Sequence, residues 1–246
     1  MACIDIQDDA RGVRLITINR PHRRNAICSQ TAIELQEALT EFESSDLRVA
    51  VLTGQGNEAF SAGADVDDVP ELWRCVPTVG VASEKPIIAA VAGWAVGGGL
   101  ILPMMCDLVV AAENARFVYP EGRLGLTQGM VAGLAARIPH KVAMEVMILG
   151  RPLEAQRAYE VGMVNEVVPV GRQVEVAMTM AGDLATMAPL VLRALKRYVT
   201  QSILPAGPTE QFGRMRRDME TISTSDDLKE GFAAFREKRP ARFQGR

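Results

Sequence analysis

The sequence predicts a mixed α/β fold in which one α/β core is followed by a helical region. Three segments are typical of β-strands because they are apolar or alternate in polarity: 13–19, 48–54 and 86–93. Helical patterns dominate after Gly129 and are interrupted by a turn and a strand at 162–169. No low-complexity linker divides the chain, so we expect its parts to pack as one unit. Within that unit we expect an α/β core over residues 1–190 and a C-terminal helical region over residues 191–246.

The individual elements follow one another in a strand–strand–helix order. The first strand ends before Pro21, and Ser29 is expected to cap a helix that continues to Glu43. The strand at 86–93 leads into three glycines and a short apolar helix. The remaining expected elements are two short strands and two helices that each end at a glycine: 107–112, 116–120, 143–150 and 153–162.

Composition and charge argue against several classes of partner. The 246 residues carry a formal net charge of −3, so we expect no basic surface for nucleic acid or an anionic membrane. The apolar stretch 86–105 is interrupted by prolines and glycines, so we expect no membrane span and no membrane partner. Four widely spaced cysteines and only two histidines argue against a metal site. Since the N-terminus also lacks a signal-peptide pattern, the sequence predicts a reduced, cytoplasmic compartment.

Two segments combine small residues with the end of a predicted strand, FSAGAD at 60–65 and AVGGGL at 95–100. Small residues let the backbone approach a ligand closely, and a helix that begins there directs unpaired N–H groups toward that ligand. Two such N–H groups converging on one oxygen form an oxyanion hole for a carbonyl group. The alternative is that the glycines only permit tight packing of strand against helix.

Six motifs follow one another along almost the entire chain: RPHRRNAI (20–27), FSAGAD (60–65), KPIIAAVAGWAVGGGLILPMMCDLVVAAENARF (85–117), YPEGRLG (119–125), AMEVMILGRPLEAQRAYEVGMVNEVVP (143–169) and DLKEGFAAFREKRPARFQG (227–245). In this order they resemble the enoyl-CoA hydratase/isomerase family, also called the crotonase family. The resemblance implies a crotonase-like α/β spiral of ββα units with a C-terminal helical trimerisation region. It also implies an acyl-CoA thioester substrate whose carbonyl oxygen lies between two backbone N–H groups.

The resemblance also assigns roles to individual residues. The two oxyanion donors are the N–H groups of Ala64 and Gly98, and Glu121 is the catalytic acid–base residue. The residues expected to contact the substrate or its CoA, in the same or a neighbouring subunit, are Arg23, Arg24, Ala26, Ala62, Gly63, Asp65, Val66, Gly97, Ile101, Tyr119, Phe235 and Lys238. Coenzyme A is expected only as part of the thioester substrate, with no separate cofactor.

The chain departs from the family's hydratase pattern at one of two acid positions. Family hydratases have a glutamate two positions after the third glycine, where this sequence has Ile101, whereas the second acid is present as Glu121. Hydration uses both carboxylates to hold and activate water, but one carboxylate suffices to move a proton from the α to the γ carbon. The favoured interpretation is therefore Δ3–Δ2-enoyl-CoA isomerisation. The open alternatives are 2-enoyl-CoA hydratase or hydratase-lyase activity, or a non-catalytic acyl-CoA-binding protein.

The C-terminal third indicates self-association. Its amphipathic helices carry apolar positions from Met178 to Phe235, more than one helical layer over the core would bury. Relatives in the family form trimers that often stack into hexamers, so the resemblance implies a homotrimer or hexamer.

Overall fold

The computed structural model describes residues 2–125, 127, 129–204 and 207–246, which form ten β-strands in two sheets. The strands in chain order are β1 Ile4–Asp8, β2 Val13–Ile18, β3 Val49–Gly54, β4 Ala59–Ser61, β5 Ile87–Val91, β6 Trp94–Val96, β7 Leu108–Ala112, β8 Arg116–Val118, β9 Leu153–Glu154 and β10 Glu166–Val168. The strands predicted from the sequence are confirmed as β2, β3, β5, β7, β8 and β10, with slightly shorter bounds.

The described residues also form nine α-helices, joined by shorter helical turns. The α-helices are α1 Ser29–Ser44, α2 Gly98–Met105, α3 Glu121–Leu124, α4 His140–Met144, α5 Ala155–Glu160, α6 Gln173–Ala185, α7 Pro189–Tyr198, α8 Pro208–Thr224 and α9 Asp226–Glu237. The shorter turns are Pro21–Arg23, Leu72–Cys75, Met130–Ala136, Glu145–Leu149 and Val199–Ile203.

The larger sheet has six strands in the order β1-β2-β3-β5-β7-β10, and all neighbours are parallel except β1 and β2. Its central strands β3 and β5 are buried along their whole length. In register, Leu52 lies opposite Ala89, and Ala90 lies opposite Val110. These continuous apolar strands are typical of a parallel sheet that is covered on both faces.

Two apolar layers cover that sheet. On one face, Ala177 and Ala181 of α6 pack into a buried cluster that includes Val51 and Ile88. On the other face lies the main core, which α1 and α2 enter with large buried side chains such as Phe42 and Leu100. Each fully buried side chain of this kind contributes about 1.5–3 kcal/mol relative to an exposed one. Helix α2 is buried in this core along its full length.

The smaller sheet has the order β4-β6-β8-β9 and positions the site described below. Strands β4, β6 and β8 are parallel, and each is three residues long. Because the strands are parallel, their C-terminal ends meet at one edge of the sheet. The segments that follow these three strands are therefore brought together.

The structure corrects two local predictions. The N-cap of α1 is Cys28, not Ser29, because Ser29 is already helical and its hydroxyl donates to Asp68 instead (2.6 Å). The FSAGAD segment is not followed at once by a helix: after β4 the chain forms a bridge between Ala64 and Ile27 and reaches a helical turn only at Leu72. The helix expected after the three glycines is confirmed as α2.

The C-terminal helices pack partly on their own chain. Thr209 of α8 donates to the carbonyl of Met130 (2.7 Å), and Glu210 pairs with Arg137 (2.9 Å). Helix α7 crosses the boundary expected between residues 190 and 191, and the division into core and C-terminal region stays a prediction.

None of the described helices is, by itself, long and apolar enough to cross a bilayer. One bent pair, Gln173–Ala185 with Pro189–Ile203, meets the criterion only by combined length and composition. The first of these helices is α6, whose buried residues pack on the large sheet.

Candidate active site

The candidate active site lies at the C-terminal edge of the smaller sheet. Three segments meet there, each directly after one of the parallel strands: 62–64 after β4, 97–98 after β6 and 119–121 after β8. The pairing of Val96 with Val118 brings the second and third segments side by side. Every residue expected to take part in the chemistry belongs to one of these segments or to helix α2.

Gly97 lies directly against the carboxyl group of Glu121. Its φ of +53° is in the left-handed region, and its N–H donates to the carbonyl of Val118 (2.9 Å). A Cβ on Gly97 would overlap Oε1 of Glu121. Position 97 thus favours glycine for two reasons: the left-handed backbone conformation and the close approach of the Glu121 carboxyl group.

The other two glycines are also closely packed. A Cβ on Gly98 would lie 2.6 Å from Cδ2 of Leu72, and a Cβ on Gly99 would overlap the carbonyl oxygen of Ser61. Tight packing therefore explains Gly99, while Gly98 is the first residue of α2, where backbone N–H groups have no partner within the helix. The close contacts of Gly98 and Gly99 thus agree with the packing interpretation, and a binding role for the Gly98 N–H stays a prediction.

The two N–H groups expected to act as donors, those of Ala64 and Gly98, belong to these segments. Ile27 pairs with the residues on either side of Ala64, accepting from Asp65 and donating to Gly63 (both 2.8 Å), so the Ala64 N–H faces away from Ile27. Within the part of the chain that the structure describes, neither N–H group donates a hydrogen bond. The two segments are neighbours, since a Cβ on Gly63 would lie 3.4 Å from the Gly98 nitrogen.

Glu121 supplies the carboxylate of the site. It is the first residue of α3, and its Oε2 is the only buried side-chain nitrogen or oxygen among the described residues without a hydrogen-bond partner. Burial raises the pKa of Glu121 to about 7 from an ordinary value of 4.5, against the opposing effect of a backbone hydrogen bond. A carboxyl group in this state can both accept and return a proton near neutral pH.

The remaining side chains of the site are apolar or weakly polar. Ile101 lies in α2, three residues after Gly98, and is only 3% exposed. Tyr119 is buried, and its hydroxyl lies 2.8 Å from Oγ1 of Thr127. Burial raises the pKa of Tyr119, so this phenol stays neutral beside Glu121.

The turn expected to bind CoA is held together by charged side chains. The Asp65 carboxylate is buried and pairs with both Arg20 (3.0 Å) and Arg23 (3.3 Å). Burial opposes ionisation of Asp65, but these arginines and the Asp67 N–H hold its pKa below its usual range. Asp65 therefore joins Arg20 and Arg23 beside Ala64, and Arg23 is engaged with the chain's own acids, Asp65 and Asp67.

The other residues expected to contact CoA in or near this turn differ in exposure. Ala26 is buried, and the N–H of Ala62 donates to the carbonyl of Arg24 (2.9 Å). Arg24 itself is exposed with a left-handed φ of +50°. Val66 is 83% exposed, so its side chain is open to solvent beside the turn.

Phe235 and Lys238 lie elsewhere in the chain. Phe235 is 85% exposed on α9 and lines a groove with Phe232 and Phe243, none of which belongs to the three segments of the site. Lys238 ends α9 in a left-handed conformation. A role for these two residues at a CoA site stays a prediction.

Sequence reasoning missed three residues that shape the site. Leu72 covers Gly98, Arg20 holds Asp65, and the buried Asn25 donates its side-chain amide to the carbonyls of Gln55 (3.0 Å) and Ala59 (2.8 Å). Arg20 and Asn25 stand within the RPHRRNAI motif, which was the available signal for them. Leu72 has no comparable signal, since it lies in a short turn outside any periodic pattern.

The site thus combines two backbone donors, one carboxylate and an apolar wall. Such donors stabilise negative charge on a carbonyl oxygen, and the carboxylate can move a proton at a neighbouring carbon. This arrangement suits chemistry through an enolate.

Comparison with known proteins finds relatives that match over nearly the whole chain. A sequence profile of the enoyl-CoA hydratase/isomerase family matches residues 8–246. The 2,3-dehydroadipyl-CoA hydratase of Escherichia coli K12 is 35% identical over 255 residues, covering 95% of this chain and 96% of the relative.

Solved structures are similar over the whole chain. A carnitinyl-CoA dehydratase from Mycobacterium avium 104 is 36% identical, with a TM-score of 0.76 and all of both chains covered. An enoyl-CoA hydratase from Mycobacterium tuberculosis H37Rv is 33% identical, with a TM-score of 0.77 and the same coverage. These similarities confirm the predicted fold class.

Proposed function

The chain belongs to the enoyl-CoA hydratase/isomerase family, and from this premise we propose that it catalyses Δ3–Δ2 isomerisation of an enoyl-CoA thioester, with Glu121 as the single acid–base residue. The observation that carries the proposal is the buried carboxyl oxygen of Glu121, which has no partner among the described residues and lies against Gly97. A buried Ile101 stands where family hydratases have a second carboxylate. One base beside an oxyanion hole is the minimum that isomerisation requires.

In the proposed reaction, the thioester carbonyl oxygen accepts hydrogen bonds from the N–H groups of Ala64 and Gly98. Glu121 removes a proton from the α carbon, and the electron pair of that C–H bond delocalises onto the carbonyl oxygen to form a dienolate. The two N–H groups stabilise this negative charge as it develops. Glu121 then returns the proton at the γ carbon, which moves the double bond into conjugation and restores the carboxylate.

The pKa of Glu121 supports this role. A base works best when its pKa lies near the working pH, because it is then both largely ionised and basic enough to accept a proton. Burial raises the pKa of Glu121 to about 7, which is close to neutral pH. The proposed reaction needs no cofactor beyond the coenzyme A of the substrate.

Hydration of a 2-enoyl-CoA is the second candidate. It is favoured by the names of the relatives, which include hydratases and dehydratases. In that reaction Glu121 alone would have to orient and activate water, since Ile101 offers no hydrogen-bonding group. Hydratase-lyase activity and acyl-CoA binding without catalysis are the remaining alternatives.

The test is a paired assay of the purified protein with a 3-enoyl-CoA and the 2-enoyl-CoA of the same chain length. Conversion of the 3-enoyl to the 2-enoyl thioester, with much slower formation of 3-hydroxyacyl-CoA, supports isomerisation. Glu121→Gln should lower that turnover at least about 100-fold, since it keeps shape but cannot accept a proton. Glu160→Gln, an exposed carboxylate on α5, is the matched control. Faster hydration than isomerisation would establish the second candidate instead.

A further inference from the structure

Cys3 and Cys28 lie side by side where the first strand meets the first helix. Their Sγ atoms are 4.0 Å apart, within hydrogen-bond distance for two thiols. Cys3 directly precedes β1 and is half-buried, whereas Cys28 is buried at the N-cap of α1. All four cysteines of the chain are free thiols, so this pair is available for reaction.

The environment of Cys28 favours the thiolate. Its sulfur stands at the N-terminus of a 16-residue helix, whose positive dipole end stabilises negative charge. The Thr31 hydroxyl lies 3.2 Å from that sulfur. Burial opposes ionisation, but the Thr31 hydrogen bonds and the Arg20 charge outweigh it and leave the pKa of Cys28 below its usual range.

Cys3 is the complementary thiol. Burial, together with the nearby Cys28 and Glu34, raises its pKa. Its backbone is fixed on both sides, because its N–H donates to Oε2 of Glu34 and its carbonyl accepts from Asn19 (both 2.8 Å). The two sulfurs are therefore held close together, and a disulfide would require their separation to fall from 4.0 Å to roughly 2.05 Å.

The other two cysteines provide a contrast within the same chain. Burial raises the pKa of Cys75 to about 12, and burial also raises that of Cys106. Thiols in such apolar surroundings react slowly, because the thiolate is the nucleophile.

We propose that Cys28 and Cys3 form a peroxide-reactive dithiol that closes to an intramolecular disulfide. The Cys28 thiolate attacks one oxygen of hydrogen peroxide, the O–O bond breaks, and the departing hydroxide takes a proton to become water. Cys28 is then a sulfenic acid. The Cys3 thiol attacks its sulfur, the S–O bond breaks, and the second oxygen leaves as water with the thiol proton. Two thiols are thus oxidised and one peroxide molecule is reduced to two waters.

The test treats the reduced full-length protein with hydrogen peroxide and maps the cysteines by mass spectrometry without reduction. Trypsin places Cys3 in peptide 1–11, Cys28 in peptide 25–48, and both Cys75 and Cys106 in peptide 75–116. The expected result is loss of two of the four free thiols and a cross-linked pair of peptides 1–11 and 25–48. Cys3→Ser should leave a sulfenic acid on Cys28 that dimedone traps, and Cys28→Ser should abolish rapid peroxide consumption.

Three results would each overturn the proposal. They are four free thiols remaining after treatment, a disulfide only between protein molecules, and oxidation of peptide 75–116 as fast as peptide 25–48. Because serine is a favoured N-cap residue, Cys28→Ser is expected to keep α1 intact, which circular dichroism checks.

Discussion

At the scale of single residues, the account depends on a carboxyl group held where it is poorly solvated. Glu121 has a buried oxygen without a partner in the described part of the chain, an arrangement that opposes its ionisation. Isolated buried polar groups of this kind are uncommon in folded proteins and often mark functional sites. The neighbouring Asp65, by contrast, has two arginine partners and a lowered pKa. The different surroundings of Glu121 and Asp65 therefore explain why the pKa of one carboxyl group is raised and that of the other is lowered.

We predict that kcat/KM for isomerisation falls on the acid side of an apparent pKa near 7. Glu121 must be ionised to accept the α proton, and burial raises its pKa from 4.5 to about 7. The reactive form is therefore lost as the pH falls through 7, well before it would be lost for an ordinary glutamate. A pH–rate profile from about 5 to 9 measures this directly. An acid limb centred near 4.5 would contradict the assignment.

Ile101 provides a second prediction at this scale. Ile101→Glu should increase hydration of a 2-enoyl-CoA, because a second carboxylate could hold the water that Glu121 activates. The new carboxylate enters a site that is only 3% exposed, so a cost of several kcal/mol in stability is expected unless it is protonated. Ile101→Gln is the matched control, of the same size as the glutamate but without a base. A folded Ile101→Glu that hydrates no faster than this control would show that residue 101 does not set the reaction.

Some residues of the site could be predicted from the sequence and others could not. Glu121 and Gly98 follow from local motifs, because each stands at a fixed place beside short, recognisable neighbours. Leu72 could not be predicted, since its role depends on the chain returning across Gly98 after an irregular segment. Arg20 stands in a recognisable motif, but its pairing with Asp65, 45 positions away in sequence, does not follow from that motif.

At the scale of secondary structure, the longer strands were predictable, whereas three of the four strands of the smaller sheet, β4, β6 and β9, were not. Strands β3 and β5 are continuous apolar runs that end near glycines. Strands β4 and β6 have only three residues each and carry no periodic pattern. The antiparallel edge strand β1 was missed because it has only two apolar residues, Ile4 and Ile6, and four of its five residues are exposed. The helix expected after FSAGAD fails to form because that segment pairs with Ile27 instead.

The turn that leads into helix α2 contains Gly97, and its conformation determines how closely the Glu121 carboxyl group can approach. Gly97→Ala should lower kcat/KM about 100-fold, because a Cβ there would overlap the Glu121 carboxyl group and a displacement of about 1 Å can cost that much. The alanine would also be strained at a φ of +53°. Gly122→Ala is the matched control, since a Cβ at that neighbouring position meets nothing within 4 Å. Equal activity of the two variants would contradict the proposed contact.

At the scale of the whole molecule, the C-terminal helices leave a large apolar surface uncovered. Met178 and Leu184 of α6, although apolar, are partly buried against the large sheet of their own chain. Large side chains farther along remain exposed: Leu190, Val191, Leu195, Tyr198, Ile203, Met215, Met219, Ile222, Phe232 and Phe235. An exposed surface of this extent is unusual for a monomer.

We therefore predict a trimer or hexamer in solution. Closed symmetry would cover the same apolar faces on every subunit at once. Light scattering at low micromolar concentration should give three or six times the chain mass of 26.7 kDa. Leu190→Asp on α7, where the side chain is 78% exposed, should weaken the assembly without loss of fold. A fully active species of 26.7 kDa would contradict this prediction.

Isotopic labelling can show directly whether Glu121 alone moves a proton from the α carbon. A 3-enoyl-CoA carrying two deuterium atoms at the α carbon is incubated with the protein, and the product is analysed by NMR. The account predicts that one deuterium leaves the α carbon with a primary isotope effect and that part of it appears at the γ carbon of the 2-enoyl product. Glu121→Gln should suppress this transfer. Deuterium transfer by Glu121→Gln at the rate of the unaltered protein would contradict the claim.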